Sequence, residues 1–388
     1  MTLSPAATEL LPRLRAALDG GDPVRLDHRP GAPGVRAPAG TAVVVRTSGS
    51  TTGTGRAVAL SGAALRHSAG ATHERLSGPG PWLLALPPVH IAGIQVLVRS
   101  ILAGYEPVVM PGRFDPAALA EAIGSMRSDA PRYLSLVPTQ LHRVLRADPA
   151  TTAAVATCAA VLIGGAGLAP NVRQEAERAG IRVVTTYGMT ETSGGCVYDG
   201  VPLPGARVRI IDGRIHLAGP MLATGYLSEP GRGQEATADD HEDPFVMLDG
   251  ERWFRTSDAG RWAGERLQVL GRIDDVIITG GANVHPALVE RALGGLPGVA
   301  EVVVVGVPDA EWGQVLTAVI RPEGRGAPDL AQVRTRARAE LGAGPHVPRA
   351  LVTVAQFPLR GPGKIDRIAV ARQATEALAT GAGQRHRE

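Results

Sequence analysis

The sequence is poor in cysteine and in aromatic residues. Its two cysteines, Cys158 and Cys196, are too few for a disulfide framework or a cysteine-based metal site, which favours a reducing compartment. Aromatic residues make up 3% of the chain, which leaves little surface for stacking on bases. The net charge of +3 comes from arginines scattered among 37 acidic residues. We therefore expect a cytoplasmic protein with no nucleic-acid partner.

Long apolar runs are also missing. The most apolar stretch, residues 82–102, is interrupted by prolines, a glycine and polar side chains: Pro87, Pro88, His90, Gly93 and Arg99. Such interruptions argue against a transmembrane helix. The first residues lack the basic and apolar segments of a signal peptide and predict an amphipathic helix with leucines on one face. We expect no membrane association.

Lysine is nearly absent. Lysine and arginine together number 40, yet Lys364 is the only lysine of the chain, in a loop rich in glycine and proline. Lysine carries a compact charge on a flexible stem, whereas arginine is a planar fork, so chemistry that requires one does not accept the other. Two interpretations stay open at this point: a drift of composition towards arginine that spared one lysine, or a requirement for an ammonium group at position 364.

The order of predicted elements indicates an α/β protein. Short β-branched runs at residues 42–45, 160–163 and 182–185 alternate with helical stretches, which is typical of layered α/β sheets. From residue 207 the pattern changes to β-hairpins, and Asp212-Gly213 is a favoured two-residue turn between residues 207–211 and 214–217. A large N-terminal domain of layered sheets plus hairpins follows from this pattern.

A smaller α+β domain is predicted after the hairpins. Helices are expected at residues 289–293 and 330–341, and strands at 302–305 and 316–320. We place the boundary after residue 273, which gives domains 1–273 and 274–380, followed by a polar tail at 381–388.

A segment rich in hydroxyl side chains follows the first predicted strand. Residues 47–58 read Thr-Ser-Gly-Ser-Thr-Thr-Gly-Thr-Gly-Arg-Ala-Val, and such glycines, hydroxyls and exposed amides can wrap a triphosphate. The segment is not a Walker A loop, because Lys-Ser or Lys-Thr does not follow a glycine at the required spacing. A purely structural loop is the alternative. The candidate phosphate ligands are Thr47, Ser48, Gly49, Ser50, Thr51, Thr52, Gly53 and Arg56.

Several motifs, taken in order from about residue 43 to residue 367, resemble those of the adenylate-forming acyl-CoA synthetases. The hydroxyl-rich loop is similar to the phosphate loop of that family, with one extra threonine that leaves its register open by one residue. Residues 185–192, Thr-Thr-Tyr-Gly-Met-Thr-Glu-Thr, resemble the Tyr-Gly-x-Thr-Glu signature. Further matches are the adenine-side segment at 164–168, the ribose-binding aspartate segment at 255–258, the hinge at 271–275 and the C-terminal lysine motif at 363–367.

The resemblance implies an enzyme that uses ATP, Mg²⁺ and CoA to join an acid to CoA through an acyl-adenylate. Lys364 would bridge the acid carboxylate and the α-phosphate, Thr190 would donate to that phosphate, and Glu191 would hold Mg²⁺. The remaining nucleotide ligands would be Gly164, Gly165, Ala166, Thr186, Tyr187, Gly188, Met189, Asp258 and Arg272. For Asp258 and Arg272, an ordinary surface ion pair is the alternative.

The resemblance also implies a small C-terminal domain that is mobile. It would rotate about Asp274 between adenylation and thioester formation, and Gly281 would then approach the pantetheine channel. A simple turn before the following helix is the alternative for Gly281.

The acid substrate is indicated by residues 86–102. Arg99 falls in an apolar run, where a charge needs a partner, either a protein carboxylate or a carboxylate of the substrate. This segment, with residues 135–141 and 201–205, is similar to the o-succinylbenzoate-CoA ligases of menaquinone biosynthesis. That likeness implies that Arg99 anchors the aromatic carboxylate of the substrate and that His90 and Gly188 border the acyl pocket. A core histidine is the alternative for His90.

Other functions stay open on sequence grounds. A ligase of the same chemistry could act on another aryl or fatty acid, or load a carrier protein in place of CoA. A non-catalytic nucleotide-binding module is a further alternative, against which Lys364 and Glu191 argue. Small molecules are the expected partners, and a homodimer is a further hypothesis.

Overall fold

The computed structural model describes residues 6–27, 36–47, 55–227, 243–324, 326–360 and 364–386; for residues 6–8, 360 and 364 it describes the backbone. The chain divides into two compact units. The first comprises Met1–Leu168, Glu175–Thr256 and Trp262–Leu267, and the second comprises Ala169–Gln174, Ser257–Arg261 and Gln268–Glu388. The domain boundary that we placed after residue 273 stays a prediction.

The helices begin at caps that the sequence provides. Asp115, Asp329 and Asp366 each accept a hydrogen bond from a backbone amide of the first helical turn that follows. None of the described helices is both long and apolar enough to cross a lipid bilayer. Their bounds are α1 (Ala6–Leu18), α2 (Gly62–Arg75), α3 (Ile91–Ala103), α4 (Pro116–Ser125), α5 (Pro138–Leu145), α6 (Pro149–Ala156), α7 (Pro170–Arg178), α8 (Pro286–Leu293), α9 (Leu330–Leu341) and α10 (Arg367–Ala379).

The strands of the first part of the chain are β1 (Val24–Arg25), β2 (Thr41–Arg46), β3 (Ala57–Ser61), β4 (Trp82–Leu84), β5 (Val108–Val109), β6 (Tyr133–Leu136), β7 (Ala160–Ile163), β8 (Val183–Met189), β9 (Gly194–Tyr198), β10 (Val201–Pro202), β11 (Arg207–Ile211), β12 (Arg214–Ala218) and β13 (Gly225–Tyr226). Those that follow are β14 (Phe245–Leu248), β15 (Glu251–Ala263), β16 (Arg266–Arg272), β17 (Ile277–Thr279), β18 (Ala282–Val284), β19 (Val299–Asp309), β20 (Gly313–Pro322), β21 (Ala350–Thr353), β22 (Leu359–Arg360), β23 (Lys364–Ile365) and β24 (Gln384–Arg385).

The main sheet of the first unit has the strand order β10-β9-β8-β7-β6-β4-β5. Strands β4 to β8 are parallel, and β9 and β10 complete the sheet in antiparallel orientation. Strand β7 reads Ala-Val-Leu-Ile and is buried throughout, as expected for a parallel strand covered on both faces. The carboxyl ends of β7 and β8 meet at one edge, where ligands bind in open α/β sheets.

A second sheet of the first unit has the order β1-β2-β3-β13. Strand β13 comes late in the sequence and pairs with β3, with Tyr226 opposite Val58 and Gly225 opposite Ala59. This pairing places residues 224–227 beside the strand that follows the hydroxyl-rich loop.

The predicted hairpin at residues 207–217 is confirmed. Ile211 lies opposite Arg214, and the turn residues Asp212 and Gly213 have φ of 50° and 76°. Positive φ at both positions is the geometry of a type I′ turn, which suits the twist of two adjacent strands. A second hairpin is the pair β15 and β16, with Gly264 at φ 59° in its turn.

The second unit is an α+β sandwich. Its sheet has the order β18-β17-β20-β21-β24, with β19 also paired to β20. Side chains of β19 alternate between two cores, because Val304 packs with α8 and α9 whereas Val303 and Val305 pack with α10. The predicted helix at residues 330–341 is confirmed with those bounds.

Strands β17, β18 and β21 to β24 of this unit were not predicted. Strand β24, inside the predicted polar tail, pairs with β21, and Gln384 Oε1 accepts a hydrogen bond from Leu330 N at 2.8 Å. Strand β23 pairs with β22, so that Lys364 lies opposite Arg360 immediately before the cap of α10.

Candidate active site

The base of the hydroxyl-rich loop is closed by its two flanking residues. Thr47 N donates to Arg56 O at 2.9 Å, and Arg56 N donates to Thr47 Oγ1 at 2.9 Å. Arg46 Nη1 donates to Gly55 O at 2.8 Å. The predicted ligands from Ser48 to Gly53 lie outside the described residues. The register of the loop around its extra threonine therefore stays open.

Three side chains are in contact beside the base of this loop, with Tyr226 between Arg56 and Glu191. The Arg56 guanidinium lies 3.5 Å from the centre of the Tyr226 ring, and the Tyr226 hydroxyl donates to Glu191 Oε1 at 2.6 Å. Burial, reinforced by the Glu191 carboxylate, raises the pKa of the Tyr226 phenol above its ordinary value. The phenol therefore remains a hydrogen-bond donor at neutral pH. Pairing of β13 with β3 brings these three residues together from distant parts of the sequence.

Glu191 lies in a tight turn between β8 and β9. Residues Thr190–Thr192 form a 3-10 turn, Thr192 Oγ1 accepts from Met189 N at 2.9 Å, and Ser193 closes the turn at φ 52°. Thr190 and Glu191 are 9% and 7% exposed. Ala223 N donates to Glu191 O at 2.8 Å, which ties the turn to the segment that carries Tyr226. The turn thus fixes both candidate residues at the edge of the sheet.

Two glycine positions are crowded by backbone or by a hydroxyl. A Cβ on Gly164 would lie 2.5 Å from Thr186 Oγ1, and a Cβ on Gly188 would lie 2.2 Å from Gly194 O. Side chains are excluded at both positions, because the end of β7 lies close to β8 at Gly164 and β8 lies close to β9 at Gly188. Gly165 and Ala166 follow at an exposed turn, and Thr186 Oγ1 donates to Ile163 O at 3.3 Å. The adenine-side segment and the Tyr-Gly-x-Thr-Glu signature are therefore neighbours.

Helix α3 packs against the far side of the Glu191 turn. Its N-cap is His90, and Gln95, 1% exposed, donates from Nε2 to Ser193 O at 2.7 Å. A Cβ on Gly194 would lie 3.2 Å from Gln95 Cγ. No sequence pattern indicates a role for Gln95, which lies in the same apolar run as Arg99.

Arg99 is buried in the same helix, at 3% exposure. Its Nη2 donates to the Tyr198 hydroxyl at 3.2 Å, and its guanidinium lies 4.8 Å from the centre of the Trp82 ring. Its Nε has no hydrogen-bond partner in the part of the chain that the structure describes. Burial lowers the pKa of Arg99, an effect that Tyr198 opposes. Within the described residues no carboxylate forms an ion pair with Arg99, so the protein carboxylate that was one of its two possible partners is not among them.

His73 completes the surroundings of Arg99. The Trp82 indole N–H donates to His73 Nε2 at 3.2 Å, so the proton of the neutral ring is on Nδ1. Burial, and then the Arg99 charge, lower the pKa of His73 to about 4. This histidine is a neutral acceptor in the core, and we assign it no chemical role.

The low pKa of His73 predicts a pH dependence of stability. Between pH 4 and 6.5 the unfolded chain binds a proton at His73 that the folded chain does not. His73 therefore leaves the free energy of unfolding undiminished above pH 6.5 and lowers it as the pH falls towards 4. We expect His73→Gln, which keeps an acceptor for the indole, to remove roughly 3 kcal/mol of this loss. Urea unfolding at pH 7 and pH 4 gives the free energy of unfolding at each pH, with His67→Gln as control. Equal losses of this free energy between pH 7 and pH 4 in wild type and His73→Gln would contradict the prediction.

The second unit holds the other predicted site residues. Arg272 Nη2 donates to Asp274 Oδ2 at 2.5 Å, and Asp274, Asp258 and Asp275 together raise the pKa of Arg272 against the opposing effect of burial. The ion pair of Arg272 is thus with the predicted hinge residue. Gly281 has φ 77°, which suits the turn between β17 and β18. The space that a Cβ would occupy there is open.

The lysine motif is fastened at its C-terminal side. Asp366 caps α10, and Arg367 donates from Nη2 to Glu290 Oε2 at 2.8 Å and from Nη1 to Val304 O at 3.1 Å. Arg367 Nε also lies 3.6 Å from Asp275 Oδ2. The residue after the cap therefore joins the segment of Lys364 to α8 and to the predicted hinge.

Comparisons with known proteins bear on what this arrangement does. A family model described as "AMP-binding enzyme" matches residues 7–227, and one described as "AMP-binding enzyme C-terminal domain" matches residues 288–364. The chain belongs to the AMP-binding enzymes. This confirms the resemblance to adenylate-forming synthetases that the motifs indicated.

Relatives of this AMP-binding enzyme carry a shared description. It is 44% identical over 95% of its length, and 96% of the relative, to the "Probable 2-succinylbenzoate--CoA ligase" of Mycobacterium tuberculosis. It is 33% identical over 74% of its length, and 60% of the relative, to the 2-succinylbenzoate--CoA ligase of Listeria monocytogenes.

Solved structures show the same fold. The o-succinylbenzoate CoA synthetase of Bacillus subtilis in complex with its acyl-adenylate intermediate has a TM-score of 0.69 and 26% identity, over 87% of this chain and 70% of that one. ATP-bound MatB from Rhodopseudomonas palustris has a TM-score of 0.73 and 26% identity, over 87% of this chain and 68% of that one. The predicted adenylate-forming ligase fold is confirmed.

Proposed function

We propose that this AMP-binding enzyme is an o-succinylbenzoate-CoA ligase of menaquinone biosynthesis, which forms o-succinylbenzoyl-AMP from ATP and then transfers the acyl group to CoA. The similarity to ligases of 2-succinylbenzoate, which is the same acid, extends over nearly the whole chain. The observation in the structure that carries the choice of acid is Arg99, a buried cation with no carboxylate partner among the described residues.

Adenylation requires that two anions approach, the acid carboxylate and the α-phosphate of ATP. Fixed donors and cations that face the crowded transition state lower its energy. In this chain Arg56 and the hydroxyl-rich loop before it would bind the triphosphate, Thr190 would donate to the α-phosphate, and Lys364 would bridge the reacting oxygens. Gly164, Gly165, Ala166, Thr186, Tyr187, Gly188 and Met189 would surround the adenine and the phosphates, and Asp258 and Arg272 would bind the ribose.

Glu191 fits the role of a magnesium ligand. Mg²⁺ prefers oxygen ligands and is commonly held by one or two carboxylates together with substrate phosphates and water. The described segments contain no group of three His, Cys, Asp or Glu side chains that could hold a metal by themselves. Mg²⁺, when bound, would neutralise phosphate charge, while Glu191 would keep it at the end of β8.

Thioester formation is the second half of the proposed reaction. Asp274 would act as the hinge, and Gly281 would then border the pantetheine arm of CoA, for which an absent side chain leaves room. A cytoplasmic location and a homodimer remain hypotheses.

Arg99 is proposed to bind the aromatic carboxylate of o-succinylbenzoate, while His90, Gly188 and the face of α3 that holds Gln95 border the acyl chain. A buried guanidinium that loses its anionic partner is left uncompensated, which makes such a contact selective. Tyr198 and Trp82 would hold the guanidinium in place between turnovers.

Replacement of Arg99 tests the substrate. For Arg99→Met we expect the KM for o-succinylbenzoate to rise about 10- to 100-fold with the KM for ATP unchanged, because a charged hydrogen-bonded contact of about 1.5–3 kcal/mol is lost. Coupled assay of CoA-thioester formation measures this, with exposed Arg143→Met on α5 as control and thermal melting to verify folding.

A substrate analogue completes the test. 4-Phenyl-4-oxobutanoate lacks the aromatic carboxylate, so wild type should use it poorly, whereas Arg99→Met should no longer distinguish it from o-succinylbenzoate. Unchanged discrimination in the variant would remove Arg99 from the substrate site. If wild type makes no thioester from o-succinylbenzoate but releases pyrophosphate with another aryl or fatty acid, the reaction type stands and the substrate is wrong.

A further inference from the structure

The Tyr226 hydroxyl and ring contact two groups of the proposed nucleotide site at once. We propose that Tyr226 is a positioning residue that holds the Glu191 carboxylate and the Arg56 guanidinium in the arrangement that receives the magnesium-bound triphosphate. This inference rests on the proposed function, and it adds a residue that lies outside every motif described above.

The contacts of Tyr226 use both of its chemical features. Its O–H donates to Glu191 Oε1 at 2.6 Å, and its ring face lies 3.5 Å from the carbon of the Arg56 guanidinium. The ring face carries negative potential, which attracts the cation, and the hydroxyl supplies one proton, which fixes the rotation of the carboxylate. One side chain thus contacts both the acid and the base of the proposed nucleotide site.

The backbone holds Tyr226 in that position independently of the three side chains. Tyr226 pairs with Val58 across the β13–β3 ladder, Leu227 N donates to Ala57 O at 2.9 Å, and Thr224 N donates to Ala59 O at 2.9 Å. Arg252 donates to the carbonyls of Ala223 and Thr224 at 2.8 Å. The ring therefore stands on backbone that is hydrogen-bonded to β3 and to Arg252, as suits a group that positions others.

The chemistry of magnesium explains why orientation matters. A carboxylate has about four lone-pair sites, so it can accept the Tyr226 hydrogen bond and still bind a cation. Mg²⁺ demands near-octahedral geometry, and a ligand that rotates freely binds it less well. Loss of the tyrosine hydroxyl should therefore weaken binding of metal-bound ATP and leave binding of metal-free ATP alone.

The test is Tyr226→Phe, which keeps the ring beneath Arg56 and its contact with Phe245 at 6.0 Å but removes the donor. Tyr105→Phe is the matched control, because Tyr105 also has an arginine, Arg127, over its ring at 5.6 Å. Calorimetric titration should show about tenfold weaker binding of Mn²⁺-ATP to Tyr226→Phe, and equal binding of ATP in the presence of a chelator. Tyr105→Phe should match wild type in both.

Kinetics provide a second readout. In Tyr226→Phe the Mg²⁺ concentration for half-maximal pyrophosphate release should rise about tenfold, while thioester formation from preformed o-succinylbenzoyl-AMP and CoA stays within about threefold of wild type. Equal weakening with and without the metal, or a wild-type metal dependence, would show that Tyr226 is only structural and would overturn the inference. If wild type binds no Mn²⁺-ATP and releases no pyrophosphate with any acid, the proposed function is wrong, and this inference is wrong with it because it rests on that function.

Discussion

Lys364→Ala should lower the rate of pyrophosphate release by about 10²–10³-fold, because a positioned charge at a developing negative charge contributes on that scale. Thioester formation from preformed o-succinylbenzoyl-AMP and CoA should remain within about threefold of wild type, since the proposed role of Lys364 ends once the adenylate exists. Pyrophosphate release and thioester formation, measured separately, give both rates.

Lys364→Arg distinguishes the two interpretations of the single lysine. If an ammonium group is required, arginine should restore little of the adenylation rate, because its planar fork does not fit between two oxygens that are about to react. Arg372→Ala, an exposed cation on the same helix that follows Lys364, is the control. A fully active Lys364→Arg enzyme would show that the single lysine reflects a drift of composition towards arginine.

Glu191→Gln should lower adenylation by about 10²-fold through the loss of a metal ligand. The fold should persist, because the amide oxygen of glutamine still accepts the hydrogen bond that Tyr226 donates. Glu191→Ala should in addition destabilise the first unit by about 1–3 kcal/mol, since the buried phenol then lacks an acceptor. Pyrophosphate release against Mg²⁺ concentration and chemical unfolding measure the two effects.

Glu74→Gln is the matched control, because Glu74 is exposed near the end of α2. A Glu191→Gln enzyme that retains wild-type adenylation at every Mg²⁺ concentration would show that the metal is held elsewhere. Equal stability of the alanine and glutamine variants would contradict the importance of the Tyr226 hydrogen bond for the fold.

Elements with strong local signals were predictable from the sequence. The Asp212-Gly213 turn favours positive φ at both positions, so the hairpin at 207–217 follows from its turn alone. Strand β7 and helix α9 have the predicted bounds, because one is a short apolar run and the other begins at an aspartate cap. The order of motifs likewise identified the ligase fold.

Contacts between distant segments were not predictable in this way. Tyr226 meets Glu191 only because β13 pairs with β3, and no local pattern specifies which strand a two-residue strand will join. The surroundings of Arg99 were missed for the same reason, since Tyr198 reaches it from β9. The scarcity of tyrosine, five in the chain, was the one available signal that these rings matter.

The closure between Thr47 and Arg56 has a consequence for how this chain tolerates change. Hydrogen bonds at residues 46–47 and 55–56 join the two ends of the loop. A residue added between these ends therefore does not alter the register of β2 against β3. Loop-closure entropy rises only with the logarithm of length, so one extra residue costs about 0.1 kcal/mol. The extra threonine is therefore nearly neutral for folding, and insertions and deletions within the loop can be selected on nucleotide handling alone.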